Sequence, residues 1–318
     1  MPSLEDLRAA AEVVHAVMPP TPQYCWPLLS QRAGCEVWVK HENHTPIGAF
    51  KLRGGIVYMD RLRRERPEVT GVVAATRGNH GQSVAYAARR AGLSATLVIP
   101  EGNSREKNAA MEAFGGELIV EGHDFQAAFE HARGLSDAQG LHFVESFDPQ
   151  LVLGVGTYSL EFLTAQPDLE RVYVPIGLGS GICGMLAARD SLGLKTEVIG
   201  VCAENAPTYA LSFAQGKPVA TNSADTFADG MACRVPEPAA LEVILRGVER
   251  VVTVSEAEIK AAMRAFYSDT HNIAEGAGAA AFAALMQERE GLAGHKAGVV
   301  LSGGNIDWPV YQAILAES

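Results

Sequence analysis

Four short stretches carry residue types whose spacing could support chemistry. The first is residues 40–55, KHENHTPIGAFKLRGG, which follow the strand-like run Glu36-Val37-Trp38-Val39. β-Branched and aromatic residues in so short a run suit a strand. The loop after it holds Pro46 and Gly48 before Phe50-Lys51-Leu52-Arg53 enters a helical stretch. Lys51 is one of seven lysines against nineteen arginines, and the only one set between an aromatic residue and a glycine-bounded loop. Partial burial disfavours an ammonium and leaves a nucleophilic amine able to form a Schiff base. Taken alone, the same lysine also suits the exposed start of an amphipathic helix.

The second stretch, Thr76-Arg77-Gly78-Asn79-His80-Gly81, follows the strand-like Val72-Val73-Ala74-Ala75. A strand, a glycine-bearing turn and a helix over 79–91 put free backbone N–H groups at a helix N-terminus, a ready site for a carboxylate. An ordinary turn with Asn79 as N-cap fits the same residues. The third stretch, Pro175-Ile176-Gly177-Leu178-Gly179-Ser180-Gly181-Ile182-Cys183-Gly184, lies between a strand and a helix. Its glycines let backbone approach a phosphate, and the following helix start favours a dianion. It also satisfies GxGxxG at Gly179, Gly181 and Gly184, with Glu204 at the end of a later strand. A dinucleotide turn, and with it a nicotinamide enzyme, is therefore open. The fourth stretch, Leu301-Ser302-Gly303-Gly304-Asn305, reads by itself as a turn after a strand.

The elements that must position these stretches alternate along the chain. Strands are expected at 36–40, 72–75, 95–99, 117–120, 141–144, 171–175, 197–202, 250–254 and 298–301. Helices are expected at 79–91, 104–114, 124–138, 150–166, 182–192, 255–269 and 276–290. That rhythm predicts an α/β protein with parallel sheets covered on both faces. Ser3 and Asp6 have capping-box spacing, so an N-terminal helix ending before Pro19-Pro20 is expected rather than a signal peptide. With 318 residues and 47% hydrophobic composition, the chain can bury a core in two domains. A net charge of −11 argues against nucleic acid or an anionic membrane as the main partner. Cys25, Cys35, Cys183, Cys202 and Cys233 form no CxxC pair, which fits reduced thiols in the cytoplasm.

The spacing KxExxxPxGxFKxRG resembles the cofactor-lysine segment of the fold-type II pyridoxal-phosphate enzymes, which include serine and threonine dehydratases, serine racemases and cysteine synthases. Gly78-Asn79-His80-Gly81, the 177–180 turn, Thr226-Phe227-Ala228-Asp229-Gly230, Glu275-Gly276-Ala277-Gly278 and Leu301-Ser302-Gly303-Gly304-Asn305 resemble further motifs of that group, in order, over residues 36–305. The resemblance implies two open parallel-sheet α/β domains with the cofactor between them. A large domain would be built from 1–54 and 149–318, and a small substrate-loop domain from 55–148. Lys51 would be the Schiff-base lysine. Phe50, Asn79, Gly230 and Glu275 would lie about the pyridoxal ring, and Gly177, Leu178, Gly179 and Ser180 would cradle its phosphate. Ser302 would face the pyridine nitrogen, where a hydroxyl makes a weaker electron sink than a carboxylate and favours prompt loss of a β-leaving group. Thr76, Arg77, Gly78, Asn79 and His80 would meet the substrate. Two departures stand out: Ala49 replaces a common Ser, and Gly276 a Pro. No metal is expected, because the metal-binding relatives' Asp aligns with Ala210, leaving only Glu204 as a weak candidate.

The resemblance implies a β-hydroxy-α-amino acid ammonia-lyase acting on threonine, serine, 3-hydroxyaspartate or phenylserine. A racemase or a β-replacement synthase on the same scaffold is the alternative; a non-catalytic binding protein and a nicotinamide enzyme are remoter. Relatives are commonly dimers or tetramers. The thirteen residues after Asn305 leave no room for the effector domain of biosynthetic threonine dehydratases, so isoleucine feedback is not expected. Where serine racemases carry a second acid/base Ser, this chain has Arg77, a poor proton acceptor at neutral pH. Racemisation is therefore expected to be slow or absent. An inward guanidinium could grip a second carboxylate or stack on a ring, and an outward one would pair with a protein acid.

Overall fold

The computed structural model describes residues 1–317, and among them the expected alternation resolves into ten strands and thirteen α-helices. The strands are β1 (Gln23–Cys25), β2 (Glu36–His41), β3 (Gly71–Ala75), β4 (Ser94–Ile99) and β5 (Gly116–Val120), followed by β6 (His142–Phe143), β7 (Arg171–Pro175), β8 (Glu197–Ala203), β9 (Arg250–Val254) and β10 (Lys296–Leu301). The helices begin with α1 (Leu4–His15), α2 (Pro27–Ala33), α3 (Lys51–Glu65), α4 (Asn79–Arg90), α5 (Arg105–Ala113) and α6 (Phe125–Gln139). They continue with α7 (Pro149–Ala165), α8 (Ser180–Ser191), α9 (Thr208–Gln215), α10 (Pro238–Gly247), α11 (Glu256–Thr270), α12 (Gly276–Gln287) and α13 (Trp308–Ala316).

Two sheets form. One has six strands in the order β1-β2-β10-β7-β8-β9, and the other has four in the order β5-β4-β3-β6. Every pairing is parallel, as expected, except that of β1 with β2 at the edge of the six-stranded sheet. β1 is a three-residue edge strand, too short to show any periodicity. β3 is buried at all five positions, as a strand covered on both faces must be. α1 is capped as expected, Ser3 accepting from the Asp6 amide and Asp6 returning to Ser3. Among the described residues, no helix is long and apolar enough to cross a membrane.

Small residues set the closest approach in the larger unit. α12 reads GAGAAAFAALMQ, and its residues from Gly276 to Leu285 are buried. A Cβ at Gly278 would lie 2.2 Å from the Gly303 carbonyl oxygen, so only glycine lets α12 meet the turn after β10. That turn also touches the segment before α3: Ala49 bridges Gly303, and the Phe50 amide donates to the Ser302 carbonyl at 3.0 Å.

A buried charge cluster fixes the start of α3. Arg53 is fully buried and donates to Glu42 at 2.7 and 3.0 Å and to Glu161 at 2.6 and 2.9 Å. Lys40, equally buried, donates to Glu161 at 2.6 Å and to the Thr21 carbonyl at 2.8 Å. Burial opposes ionisation of Glu161, yet the Arg53 and Lys40 contacts hold its carboxyl down at about 2. A depressed carboxyl contributes stability above its ordinary value of 4.5, and that contribution is lost as pH falls toward 2. Replacing Arg53 by Met strands two buried carboxylates, and the expected loss is roughly 3–5 kcal/mol in urea unfolding. A loss below about 1 kcal/mol would show that the cluster is not closed to water.

Candidate active site

The C-terminal ends of β2, β3, β7 and β10 deliver four turns to one cavity of about 670 Å³ between the two sheets' units. Lys51, the first residue of α3, lines it with Phe50, Ser180 and Ser302. The Lys51 Nζ lies 3.3 Å from the Ser180 Oγ and 5.2 Å from the centroid of the Phe50 ring. Burial pushes this amine down to about 8, so much of it is uncharged just above neutral pH. The exposed-helix reading of Lys51 therefore does not hold.

The turn after β7 is held open by what surrounds it. Gly179 has φ +102, and a Cβ there would lie 2.6 Å from the Ala240 Cβ. A Cβ at Gly177 would lie 2.3 Å from the Gly230 carbonyl oxygen, which brings the 226–230 loop directly against the turn. Tyr209 donates to the Leu178 carbonyl at 2.9 Å, and Tyr158 donates to that of Gly181 at 3.2 Å. Ser180 then opens α8, whose first amides have no partner within the helix.

The loop after β3 is shaped by Thr76, whose hydroxyl oxygen accepts the amides of Gly78 at 3.0 Å and Gly81 at 2.9 Å. Those two amides are thereby committed within the loop. Asn79 is the first residue of α4 and not its cap; Gly78 holds the cap position. The Asn79 amide instead donates to Glu275 at 2.6 Å and accepts from Asn305 at 2.8 Å. Its second N–H remains available. The His80 imidazole lines the cavity, and its Nε2 is buried without a hydrogen-bond partner. Burial, and then the charge of Lys51, push His80 down to about 3, so it is a neutral ring. Arg77 is exposed at the cavity and forms no ion pair among the described residues, which corrects the expectation that an outward guanidinium would find a protein acid.

Glu275 shows where spacing alone misleads. It sits at the N-cap of α12, yet its side chain makes no cap hydrogen bond. The carboxylate is buried and receives Asn79 and Lys107, the latter at 3.4 Å; Lys107 also reaches Asp229 at 2.6 Å. Burial raises the Glu275 carboxyl, and Lys107 works against that rise. Lys107 is held above its ordinary value by the two acids despite its own burial. Sequence reasoning missed Lys107 because α5 looks like any surface helix. Only the fold brings it to the substrate loop, where a Cβ at Gly78 would meet the Lys107 Cδ at 2.5 Å. Glu204, by contrast, is exposed after β8 and does not line the cavity. Among the described residues, no group of three or more His, Cys, Asp or Glu could hold a metal ion.

Comparison with known proteins accounts for this arrangement. The L-threonine ammonia-lyase of Thermotoga maritima is 36% identical over 311 residues, covering 96% of this chain and 76% of that protein. The processed form of threonine deaminase isoform 2 from Solanum lycopersicum superposes with a TM-score of 0.90 at 30% identity, covering 100% of this chain and 95% of that one. Maize serine racemase superposes with a TM-score of 0.91 at 26% identity, covering 98% and 96%. The family model described as "Pyridoxal-phosphate dependent enzyme" matches residues 16–303. The GxGxxG turn is thus no nicotinamide fingerprint, and the chain belongs to the pyridoxal-phosphate dependent enzymes.

Proposed function

We propose that this protein is an ammonia-lyase that removes water from a β-hydroxy-α-amino acid of the threonine and serine type, giving a 2-oxo acid and ammonia. The observation that carries this reading is the half-buried Lys51 amine, turned into the cavity within 3.3 Å of the Ser180 hydroxyl and pushed down to about 8, beside a wall that offers the Ser302 hydroxyl. The residues fit pyridoxal 5'-phosphate. The turn at Gly177 and Gly179 has no room for side chains, and the neutral His80 ring leaves a buried nitrogen facing no protein partner. Lys51 would hold the cofactor's aldehyde carbon and the Gly177-Leu178-Gly179-Ser180 turn its phosphate. Asn79 and Ser302 would face the 3-oxygen and the ring nitrogen, with Phe50, Gly230 and Glu275 around them. When bound, the cofactor supplies a sink for the electron pair left at Cα.

The chain's own groups account for the rest. The Lys51 amine takes the α-proton, and its hydrogen bond to Ser180 orients it for that transfer. Asn79, gripped by Glu275 and Asn305, keeps one N–H to donate. Loop amides beyond the two bound by Thr76 remain to orient the substrate carboxylate. The β-hydroxyl leaves as water by taking up the proton that Lys51 removed, and the released enamine hydrolyses to the 2-oxo acid and ammonia. Racemisation would need a second acid/base opposite Lys51, which the guanidinium of Arg77 does not supply. In this reading residues 55–148 carry the substrate loop, 1–54 and 149–318 carry the cofactor, and the protein works in the cytoplasm as a homo-oligomer.

Purified protein is expected to be yellow, and borohydride should fix the cofactor to Lys51; Lys51→Ala should abolish 2-oxo acid formation. Since only the neutral amine is a nucleophile, cofactor uptake by the apo-protein should rise with pH and level off above about 8. A colourless protein, or an adduct on another lysine, would refute the assignment. A second test concerns Lys107, which works against the rise that burial imposes on Glu275. In Lys107→Met the Glu275 carboxyl should rise further and weaken its hold on Asn79. We expect kcat/KM to fall roughly tenfold or more at pH 7 and to recover partly at higher pH. Lys107→Arg should restore the profile, and a uniform loss at every pH would argue for a packing role alone.

A further inference from the structure

The rim of the cavity carries two cations that the proposed reaction leaves unused. Arg77 stands in the 76–81 loop, and Arg234 stands in the segment beyond Gly230; both line the cavity and both are exposed. Neither forms an ion pair among the described residues, and the Arg234 Nε reaches only the Thr221 carbonyl, at 3.4 Å. Several other guanidiniums are matched to acids, as Arg32 is to Asp269, Arg171 to Glu197 and Arg250 to Glu288. The acids at this cavity are already occupied. Asp229 and Glu275 hold Lys107, and Asp124 caps α6 through the Ala127 amide. Arg77 and Arg234 thus line the cavity with no ion-pair partner among the described residues.

We propose that Arg77 and Arg234 form a cationic rim that takes the second carboxylate of a β-hydroxy-α-amino dicarboxylic acid, so that 3-hydroxyaspartate is preferred to threonine. The inference rests on the ammonia-lyase reading and narrows its substrate. The guanidinium fork matches a carboxylate in two parallel hydrogen bonds, which suits either arginine to that group. Loss of water from 3-hydroxyaspartate, followed by hydrolysis of the released enamine, would give a four-carbon 2-oxo diacid and ammonia. An aromatic substrate stacked on one guanidinium would need only one of the two arginines.

The test compares kcat/KM of the holoenzyme and of Arg77→Ala, Arg234→Ala and Arg77→Lys on 3-hydroxyaspartate, threonine and phenylserine. A parallel measurement follows melting temperature with L-aspartate or L-alanine, neither of which has a hydroxyl to lose. Expected are at least a tenfold preference for 3-hydroxyaspartate and at least a tenfold fall in its ratio to threonine in each Ala variant, chiefly through KM. Arg77→Lys should recover part of that ratio. L-Aspartate should raise the melting temperature of the wild type more than L-alanine does, and that excess should vanish in Arg77→Ala. A preference for threonine or phenylserine, or an equal loss on all three substrates, would overturn the proposal while leaving the ammonia-lyase reading standing. Turnover of none of them would defeat the ammonia-lyase reading, and the melting shifts would then decide the carboxylate site on their own.

Discussion

Everything at the site depends on the fully buried guanidinium of Arg53. Residues two apart on a helix point to different faces, so fixing Arg53 on Glu42 and Glu161 sets the rotation of α3 and turns Lys51 toward the cavity. Arginine suits that task because its fork can satisfy two carboxylates and two hydroxyls at once, here including Thr157 at 3.0 Å and Thr21 at 3.2 Å. Such a cluster contributes little net stability beyond an apolar replacement of the same shape. What it provides is direction. Each bond is angular, and a shift of α3 along or about its axis would break several together. Glu42 comes from the turn after β2, and Glu161 from α7. The lysine is thereby referenced to the six-stranded sheet rather than to its own loop.

A second set of bonds references the substrate loop to the same frame. Asn79 and Lys107 belong to the unit built on the four-stranded sheet, whereas Glu275, Asp229 and Asn305 belong to the larger one. The chain Asn305→Asn79→Glu275←Lys107 crosses the cavity at its base. Its one buried carboxyl group accepts from both donors, and Lys107 works against the rise that burial imposes on it. Polar bonds across such a cleft are directional yet can part, unlike an interdigitated apolar core.

The strands were the most legible elements, and nine could be read to within about two residues. In β3, β4, β8 and β10 burial leaves little choice of residue type, whereas the half-exposed β5, β6 and β9 were read from β-branched and aromatic residues alone. β1, α2, α9, α10 and α13 were not read. β1 has three residues, and the four helices have seven to ten, too few for a period of 3.6 to show. At the site, motif order located Lys51, Asn79, the 177–180 turn and Ser302 on one cavity. It did not reveal what their side chains touch. Asn79 has the residue type of an N-cap and Glu275 the position of one, yet both are turned inward by partners 196 residues apart in sequence. Lys107 could not be found at all, since its partners lie 122 and 168 residues away. Local spacing cannot encode an ion pair that exists only once two sheets have been assembled.

The electrostatics of the cavity bear on which reaction such a scaffold supports. Burial shifts its titratable groups toward their neutral forms: Lys51 moves down, His80 moves further down and the Glu275 carboxyl moves up. In the proposed reading the ring nitrogen meets Ser302, a hydroxyl that cannot fix a proton there as a carboxylate would. Negative charge developing at Cα is then poorly held for long, and a route that discharges it promptly into a leaving group is favoured over one that stores it. The face opposite Lys51 points the same way. A proton returned from that side needs a group that can both give and take it near neutral pH, a task for which a guanidinium is unsuited. With storage disfavoured and return blocked, departure of the β-substituent is the outlet that these residues leave open.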